Sequence, residues 1–194
     1  MWFASPTGRA RIAGDSASMP QVASHRAVFL VGFMGAGKTS VGRSLGRRLG
    51  WSFEDLDDRI QVRAGRSIEE IFRDLGEAEF RRLENAALRE LLSDVSVGPR
   101  VVALGGGAFA QPENAALLET AGVQVIFLDG SAEELFHRCE LERRERPLLR
   151  DAKQFRELYE QRRSSYLKAS CRIDTTSKDV DGIAAEVACR IGLK

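Results

Sequence analysis

Hydrophobic and polar residues alternate along the chain in blocks, and this pattern predicts strands separated by helices. Five short segments rich in apolar residues are typical of β-strands, and most are apolar enough to be buried on both faces of a sheet. They span residues 27–31, 51–57, 101–107, 123–129 and 171–175. The segments between them carry apolar residues at the spacing of amphipathic helices. These predicted helices span residues 38–50, 67–76, 77–92, 111–122, 131–138, 153–169 and 180–192.

The order of these segments predicts an α/β fold, a parallel β-sheet with helices on both faces. Local signals support three of the helix starts. Ser67 with Glu70 and Ser131 with Glu134 have the spacing of capping boxes, and Pro112 stands near the first turn of its helix. The helix boundaries are therefore predicted by local chemistry as well as by periodicity.

Composition limits the class of protein. A chain of 194 residues with 43% hydrophobic residues fits one domain with a small lid or tail. The formal net charge of +1 gives no field that would favour nucleic acid or a membrane surface. The three cysteines, Cys139, Cys171 and Cys189, form no CxxC pair and are odd in number, which argues against a disulfide framework. A reducing cytosol is therefore the expected compartment. No apolar run is long enough to span a bilayer.

The first 24 residues differ from the rest of the chain. They are rich in Ser, Ala, Gly and Arg and show no periodicity. A transit peptide has a similar composition. A disordered tail, or a start assigned too early with Met19 as the true start, is the favoured interpretation of residues 1–24. The folded domain is expected to span residues 25–194.

The segment GFMGAGKT, residues 32–39, follows the first predicted strand and precedes the first predicted helix. It fits the P-loop pattern G-x-x-x-x-G-K-[ST] in full, in the structural context that the pattern requires. Its backbone N–H groups can hold phosphate oxygens at the positive end of the following helix. Lys38 can reach the β- and γ-phosphates, and the Thr39 hydroxyl can bind Mg²⁺. The predicted ATP-binding residues of the loop are Gly35, Ala36, Gly37, Lys38, Thr39 and Ser40.

The loop alone does not separate kinases from other nucleotide-binding proteins. The Asn-Lys-x-Asp signature typical of GTPases does not occur in the sequence. Asp129, which ends the segment VIFLD, resembles the metal-binding aspartate of motor ATPases and is an alternative metal ligand. The single loop and the charged segment broken by Pro147 indicate instead a small kinase with a mobile lid at about residues 138–151.

Two acidic residues follow in the segment EDLDDR. If residues 53–57 are extended, Asp55 and Asp57 lie on one face at the carboxyl end of a strand, where open α/β sheets bind ligands. One carboxylate could then serve Mg²⁺, and the other could accept a hydrogen bond from a substrate hydroxyl. A pair of solvated loop acids explains the spacing equally well.

Four further features could recognise a small anionic substrate. In FRRLE, Arg81 lies three residues before Glu84 on one helix face, and a guanidinium there could bind a carboxylate through two hydrogen bonds. The run LGGG could expose backbone N–H groups at the end of a strand. In RPLL, Arg146 could neutralise phosphate charge from a lid. Solvated helix faces, a loose turn and a linker charge are the alternatives, and QRRSSY offers a further helical arginine.

Taken in order, GFMGAGKT, DLD, GEAEFRRLE, LGGG, RPLL and RxxxY resemble the shikimate kinase family, from about Ala27 to Leu193. The resemblance implies a P-loop NTPase fold, similar to the nucleoside monophosphate kinases. It implies transfer of the γ-phosphoryl group of ATP to the 3-hydroxyl of shikimate, with Mg²⁺ as cofactor. ATP and shikimate are then the expected partners, and we expect a monomer.

The resemblance also assigns roles. Asp57 would accept hydrogen bonds from shikimate hydroxyls, while Arg81 and Arg162 would hold its carboxylate; Arg162 is preferred to Arg163 because it lies four residues before Tyr166. Backbone N–H groups of the glycine run would contact the substrate, and Thr39 and Asp55 would lie near Mg²⁺. Lys38 and Arg146 would touch the phosphates and so count among the ATP-binding residues. The residues implied as substrate-binding are Asp57, Arg81, Gly105, Gly106, Gly107 and Arg162, and those implied as catalytic are Asp57, Lys38 and Arg146.

One departure and two rival functions remain. Family members often carry a second lid arginine seven residues before the arginine of RPLL, stacked on adenine, and here that position is Cys139, with Arg138 beside it. A kinase for another polyol acid, such as gluconate, is the first rival. A binding protein that has lost its chemistry is the second, but Lys38, Asp57 and both arginines of the carboxylate site are present.

Overall fold

The computed structural model describes residues 27–94, 98–141 and 151–193. The predictions for the tail (residues 1–24) and for Arg146 therefore lie outside the described residues, as does most of the predicted lid. Within these ranges the chain forms five parallel strands in the order β2-β3-β1-β4-β5. The strands are β1 (Ala27–Val31), β2 (Ser52–Asp55), β3 (Arg100–Ala103), β4 (Gln124–Asp129) and β5 (Cys171–Asp174).

Helices connect the strands and cover the sheet. They are α1 (Lys38–Leu49), α2 (Leu56–Ala64), α3 (Ile68–Ser93), α4 (Pro112–Thr120), α5 (Ala132–Leu141), α6 (Ala152–Tyr166) and α7 (Val180–Arg190). The predicted α/β fold with a parallel sheet is confirmed. Its strand order brings β1 to the centre, so the loop after β1 lies between the carboxyl ends of β3 and β4.

The core lies on both sides of the central strands. Residues 28–31 of β1 are all buried, and so are residues 100–103 of β3. Consecutive strand residues point to opposite faces of a sheet, so burial of every position means that both faces are covered. This explains why these strands appear in the sequence as continuous apolar runs rather than as alternating ones.

Two boundaries differ from the predicted ones and affect the site. The strand predicted at residues 51–57 ends at Asp55, and a helix that the sequence analysis missed, α2, begins at Leu56. The strand predicted at residues 101–107 ends at Ala103, so the glycine run forms a loop. The supposed extended segment 53–57 is therefore wrong, because Asp55 caps α2 and Asp57 lies in its first turn.

The local signals for helix starts are largely confirmed. Ser67 and Glu70 form a complete capping box, and Pro112 stands at the start of α4. Ser131 accepts a hydrogen bond from the Glu134 N–H at 3.2 Å, but the Glu134 carboxylate binds Arg138 instead of the cap. Helices predicted separately at 67–76 and 77–92 are joined as α3, with a kink at Gly76 (φ 80°, ψ 173°). The described part of the chain contains no helix that is both long and apolar enough to cross a bilayer.

Candidate active site

The P-loop packs closely against its neighbours. A Cβ added at Gly32 would lie 2.6 Å from the Leu128 carbonyl oxygen, and one added at Gly35 would lie 2.5 Å from that of Leu135. Gly35 and Gly37 also have φ angles of 76° and 79°, in the left-handed region that favours glycine. The glycines are therefore required by contacts with β4 and α5, and not only by the approach of a ligand.

The loop ends at a helix start that suits an anion. Gly37 precedes α1 and provides no side-chain cap, so the N–H groups of the first turn are available to a ligand. The Lys38 ammonium donates to the carbonyl oxygens of Gly32 and Phe33 at 2.9 and 3.0 Å. This brings its charge back over the loop, where phosphates bind in proteins with this motif. Ala36 is buried and Ser40 is exposed.

Thr39 and Asp55 meet beside the loop. The Thr39 hydroxyl donates to one Asp55 carboxylate oxygen at 2.9 Å, and the other accepts from the Asp57 N–H at 3.1 Å. Hydroxyl and carboxylate oxygens are ligands that Mg²⁺ accepts, with water and phosphate completing its shell. The donor set therefore fits a magnesium ion bound to nucleotide phosphates.

Asp57 reaches the glycine run from the first turn of α2. A Cβ at Gly105 would lie 2.5 Å from the Asp57 Oδ1 atom, so the carboxylate rests directly against this glycine. The two acids still meet at the carboxyl end of β2. They do so because Asp55 ends the strand and caps the helix on which Asp57 stands.

Arg81 lies at the other end of the glycine run. A Cβ at Gly107 would lie 2.9 Å from the NH2 atom of Arg81. Its NH1 atom donates to both Glu84 carboxylate oxygens at 3.1 and 3.0 Å, and its Nε and NH2 atoms donate to Glu77 at 3.3 and 3.1 Å. The Glu84 side chain is buried and the Glu77 side chain is 67% exposed. One carboxylate thus holds Arg81 from inside, and the other shields it from solvent.

Glu84 connects this arginine to two other elements. Burial raises the pKa of Glu84, and the nearby Arg81 guanidinium partly opposes that rise. The amide of Asn114, in α4, donates to Glu84 at 3.4 Å and to the Ala108 carbonyl oxygen at 3.1 Å. Asn85 donates to the same Asn114 side chain at 2.7 Å. The network ties α3, the glycine loop and α4 together around Arg81.

Arg162 lies against the middle of the glycine run. Its NH1 atom donates to the Gly106 carbonyl oxygen at 3.3 Å, and its guanidinium carbon lies 5.9 Å from the centre of the Phe33 ring. Among the ion pairs of the described ranges, Arg163 has a carboxylate partner, Asp129 at 2.9 Å, whereas none involves Arg162. The two neighbouring arginines of QRRSSY therefore face different surroundings.

Asp129 belongs to a buried polar cluster of its own. Its carboxylate accepts hydrogen bonds from Tyr159 and Arg163 at 3.2 and 2.9 Å and pairs with Arg172 at 2.8 Å. Both oxygens are thus engaged by protein donors, and the residue is 3% exposed. This argues against the alternative that Asp129 binds a metal, and it indicates instead a link between β4, α6 and β5.

The structure brings the sequence-predicted residues together at the carboxyl ends of the central strands. Successive glycines of one loop each face a different group, with Asp57 nearest Gly105 and the two arginines nearest the other two. Arg138, which lies beside the position of the family's adenine-stacking arginine, donates to Glu134 at 2.6 Å and to the Thr175 carbonyl oxygen at 3.1 Å. Arg146 lies outside the described ranges.

Sequence reasoning did not single out several residues around this site. Glu77 lies four residues before Arg81, so helix spacing could have identified it as a partner of that arginine. Asn114 and Tyr166 contact the site from 30 and 60 residues away along the chain. Only the final position of the RxxxY pattern pointed to Tyr166, and no pattern pointed to Asn114.

Comparison with known proteins gives one consistent family. The family model described as "Shikimate kinase" matches residues 34–191. The shikimate kinase of Geobacter sulfurreducens is 45% identical over 174 residues, which cover 88% of this chain and 93% of that protein. The structure of the shikimate kinase from Acinetobacter baumannii in complex with shikimate has a TM-score of 0.77 and 34% identity, covering 86% of this chain and 92% of that chain.

A more distant likeness extends to other small-molecule kinases. A gluconokinase from Sinorhizobium meliloti has a TM-score of 0.58 at 18% identity, covering 87% of this chain and 93% of that chain. At this level of identity the likeness shows the fold alone. The matched residues 34–191 include the P-loop lysine, both candidate substrate arginines and the whole glycine run.

Proposed function

The chain belongs to the shikimate kinase family, and we propose that its site works as follows. The enzyme transfers the γ-phosphoryl group of ATP to the 3-hydroxyl of shikimate, giving shikimate 3-phosphate and ADP, a step of aromatic amino-acid biosynthesis. The observation that supports the site assignment best is the glycine loop at residues 105–107. It has one carboxylate at its first residue and a guanidinium at each of the next two.

This spacing suits a small polyol acid. The substrate carboxylate is held by Arg81 and Arg162, which approach the loop from α3 and α6. A guanidinium can bind a carboxylate through two parallel hydrogen bonds, which fixes both its position and its orientation. Asp57, at the opposite end of the loop, accepts hydrogen bonds from the substrate hydroxyls. The separation of cations and anion along one loop thereby fixes which hydroxyl faces the nucleotide.

The nucleotide is held by the P-loop. Lys38 and the N–H groups at the start of α1 bind the phosphates, and Thr39 and Asp55 would hold Mg²⁺. Mg²⁺ held there would supply positive charge to offset that of the phosphates. Phosphoryl transfer demands little covalent work from the protein, so alignment and charge stabilisation dominate. Asp57 orients the attacking hydroxyl and accepts its proton.

The remaining assignments rest on the family resemblance. Arg146, on a lid at about residues 138–151, neutralises phosphate charge during the transfer. The domain spans residues 25–194, and residues 1–24 play no part in catalysis. The protein acts as a monomer in the cytoplasm, with ATP and shikimate as its small-molecule partners.

The test is ADP release from MgATP, measured with and without shikimate and with gluconate as the competing polyol acid. We expect release only with shikimate. Equal turnover with gluconate, or none with either, would reject the proposal.

Two neighbouring arginines provide a matched pair of variants, Arg81→Ala and Arg82→Ala, because Arg82 is 68% exposed and pairs only with Glu79 among the described residues.

The expected difference between these variants follows from their surroundings. Loss of a charge-assisted bidentate contact costs about 2–3 kcal/mol, or roughly 30- to 150-fold in shikimate affinity. Arg81→Ala should show this loss in the shikimate KM, because the contact exists before and during the transfer. Arg82→Ala should change the shikimate KM by less than about twofold. Similar effects of the two substitutions would contradict the assignment of Arg81 to the substrate carboxylate.

A further inference from the structure

The carbonyl oxygen of Gly106 accepts hydrogen bonds from two side chains of α6. Arg162 donates from NH1 at 3.3 Å, and the Tyr166 hydroxyl donates to the same oxygen. The two residues are four apart and therefore lie on one face of the helix. Arg162 already has a role in the proposed site, but the tyrosine of the RxxxY pattern does not.

The Tyr166 ring is held rigidly. Its side chain is 1% exposed, and the ring centre lies 5.3 Å from that of Phe127 in β4. Burial raises the pKa of Tyr166 to about 12, although the adjacent Arg162 guanidinium acts in the opposite direction. The hydroxyl is therefore protonated at every working pH and remains a hydrogen-bond donor.

We propose that Tyr166 is a positioning residue for shikimate binding, acting through Gly106 and Arg162. The proposal rests on the function proposed above. The Gly106 carbonyl and the Gly107 N–H belong to one planar peptide unit and point in opposite directions. The hydroxyl of Tyr166 directs this carbonyl toward α6, and so directs the Gly107 N–H away from α6.

A fixed donor is needed because the loop itself is permissive. A peptide unit between two glycines can rotate more freely than any other, since neither residue has a Cβ. The Tyr166 hydroxyl restricts that rotation from a rigid helix. It also satisfies the Gly106 oxygen when Arg162 turns toward a substrate carboxylate. Without the hydroxyl, Arg162 would have to donate to the Gly106 carbonyl oxygen and to the substrate carboxylate at the same time.

Tyr159 provides a matched control on the same helix. Its side chain is also buried, and its hydroxyl donates to Asp129 at 3.2 Å and to the Gly130 carbonyl oxygen at 3.0 Å. Neither acceptor belongs to the proposed substrate site. Replacing tyrosine by phenylalanine removes one buried hydroxyl at either position and keeps the ring packing, so both variants test the same loss of stability.

The experiment compares the full-length enzyme with Tyr166→Phe and Tyr159→Phe. Tyr166→Phe should raise the shikimate KM by about 2- to 13-fold, the range expected for one neutral hydrogen bond, and should leave the ATP KM unchanged. Both substitutions should lower the melting temperature by similar amounts, but Tyr159→Phe should not raise the shikimate KM. An unchanged shikimate KM in Tyr166→Phe, or an equal rise in both variants, would overturn the proposal.

A spectroscopic measurement tests the same inference without turnover. Tyr159 and Tyr166 are the 2 tyrosines of the chain, so Tyr159→Phe leaves a single tyrosine to carry a fluorine label. The ¹⁹F resonance of that label at position 166 should shift on titration with shikimate and not with ATP alone. A ¹⁹F chemical shift that does not change at saturating shikimate would refute the role of Tyr166. Lack of any shikimate-dependent turnover in the unsubstituted enzyme would instead reject the proposed function on which the inference rests.

Discussion

Gly105→Ala offers a direct test of how the site holds Asp57. The added Cβ would lie 2.5 Å from Asp57 Oδ1, and real Cβ atoms essentially never come within 3.0 Å of another atom. The loop cannot easily yield, because the Leu104 N–H donates to the Leu30 carbonyl oxygen and the Ala108 N–H to that of Gly105, each at 3.0 Å. Gly105 is outside the left-handed region, so alanine adds no backbone strain. The carboxylate must therefore move.

The size of that movement sets the expected loss of activity. Relief of the clash requires at least 3.0 − 2.5 = 0.5 Å of displacement at the carboxylate oxygen. A misplacement of about 1 Å in a reacting geometry costs roughly 100-fold in rate. A shift of 0.5 to 1 Å should thus lower kcat by about 10- to 100-fold, equivalent to about 1.4–2.8 kcal/mol. The ATP affinity should not change, because Asp57 has no assigned role in binding the nucleotide.

The assay is steady-state ADP release at saturating shikimate and MgATP, with Gly98→Ala as the control. A Cβ at Gly98 meets nothing within 4 Å, so this substitution should leave kcat unchanged. The same two substitutions are then made in an Asp57→Asn enzyme, which should itself lose about 10²- to 10⁴-fold in kcat. If Gly105→Ala acts through the carboxylate, its effect should largely vanish in that background.

Three outcomes would refute this reasoning. A kcat of Gly105→Ala within twofold of Gly98→Ala would show that the carboxylate can move without cost, and Asp57 would be a binding residue only. Full additivity with Asp57→Asn would show that the methyl group acts through another contact. A raised shikimate KM with unchanged kcat would assign Gly105 to substrate binding instead.

Two further predictions concern the carboxylates around Arg81. Glu77→Gln should lower the shikimate KM by about two- to fivefold, because this exposed carboxylate competes with the substrate for the Arg81 guanidinium. The control Glu79→Gln should leave the shikimate KM unchanged. A raised KM in Glu77→Gln would show instead that Glu77 preorganises Arg81. Burial raises the pKa of Glu84 above 4.5, so the Glu84 carboxyl group holds its proton more tightly in the folded protein than in the unfolded chain. The free energy of unfolding should fall as pH rises from about 4.5 through the raised pKa, and Glu84→Gln should remove that fall in urea titrations. A stability difference between the two proteins that is constant with pH would contradict this.

Much of the fold could be predicted because buried parallel strands and capped helices leave strong local patterns. Residues 27–31 match β1 in full, since residues 28–31 of this strand are buried on both faces of the sheet and appear as a continuous apolar run. The capping box at Ser67 with Glu70 needs only contacts within four residues. The P-loop likewise has a fixed spacing that a single sequence shows. In each case the interaction that determines the structure is local.

The error at α2 has a physical cause. The alternation of apolar and acidic residues in segment 51–57 fits a strand. It fits a strand that ends at Asp55 and is followed by a capped helix turn equally well. The decisive signals lay further on, in Ile60 on the buried face and in Gly65, which ends the helix with a φ of 62°. Asp57 was therefore placed near the correct strand end for an incorrect reason.

The partners of the site residues also separate into those that are close in sequence and those that are distant. Glu77 and Glu84 lie within four residues of Arg81, so helix geometry alone relates them. The contact of Tyr166 with Gly106 spans 60 residues and depends on how α6 packs across the sheet. Local spacing carries no information on such a contact. The residues that orient the predicted ligand groups are for this reason harder to foresee than the groups themselves.

The close packing around the glycines also connects the two substrate sites to one segment of the chain. A Cβ at Gly35 would lie 2.5 Å from the Leu135 carbonyl oxygen and 3.0 Å from Cys139 Sγ, so the P-loop packs against α5. At the other end, Arg162 and Tyr166 of α6 bind Gly106. In the sequence Arg146 lies between these two helices, each of which contacts one loop of the proposed site. The contacts of α5 and α6 thus couple the two loops through described residues, whereas the role of Arg146 stays a prediction from the family resemblance.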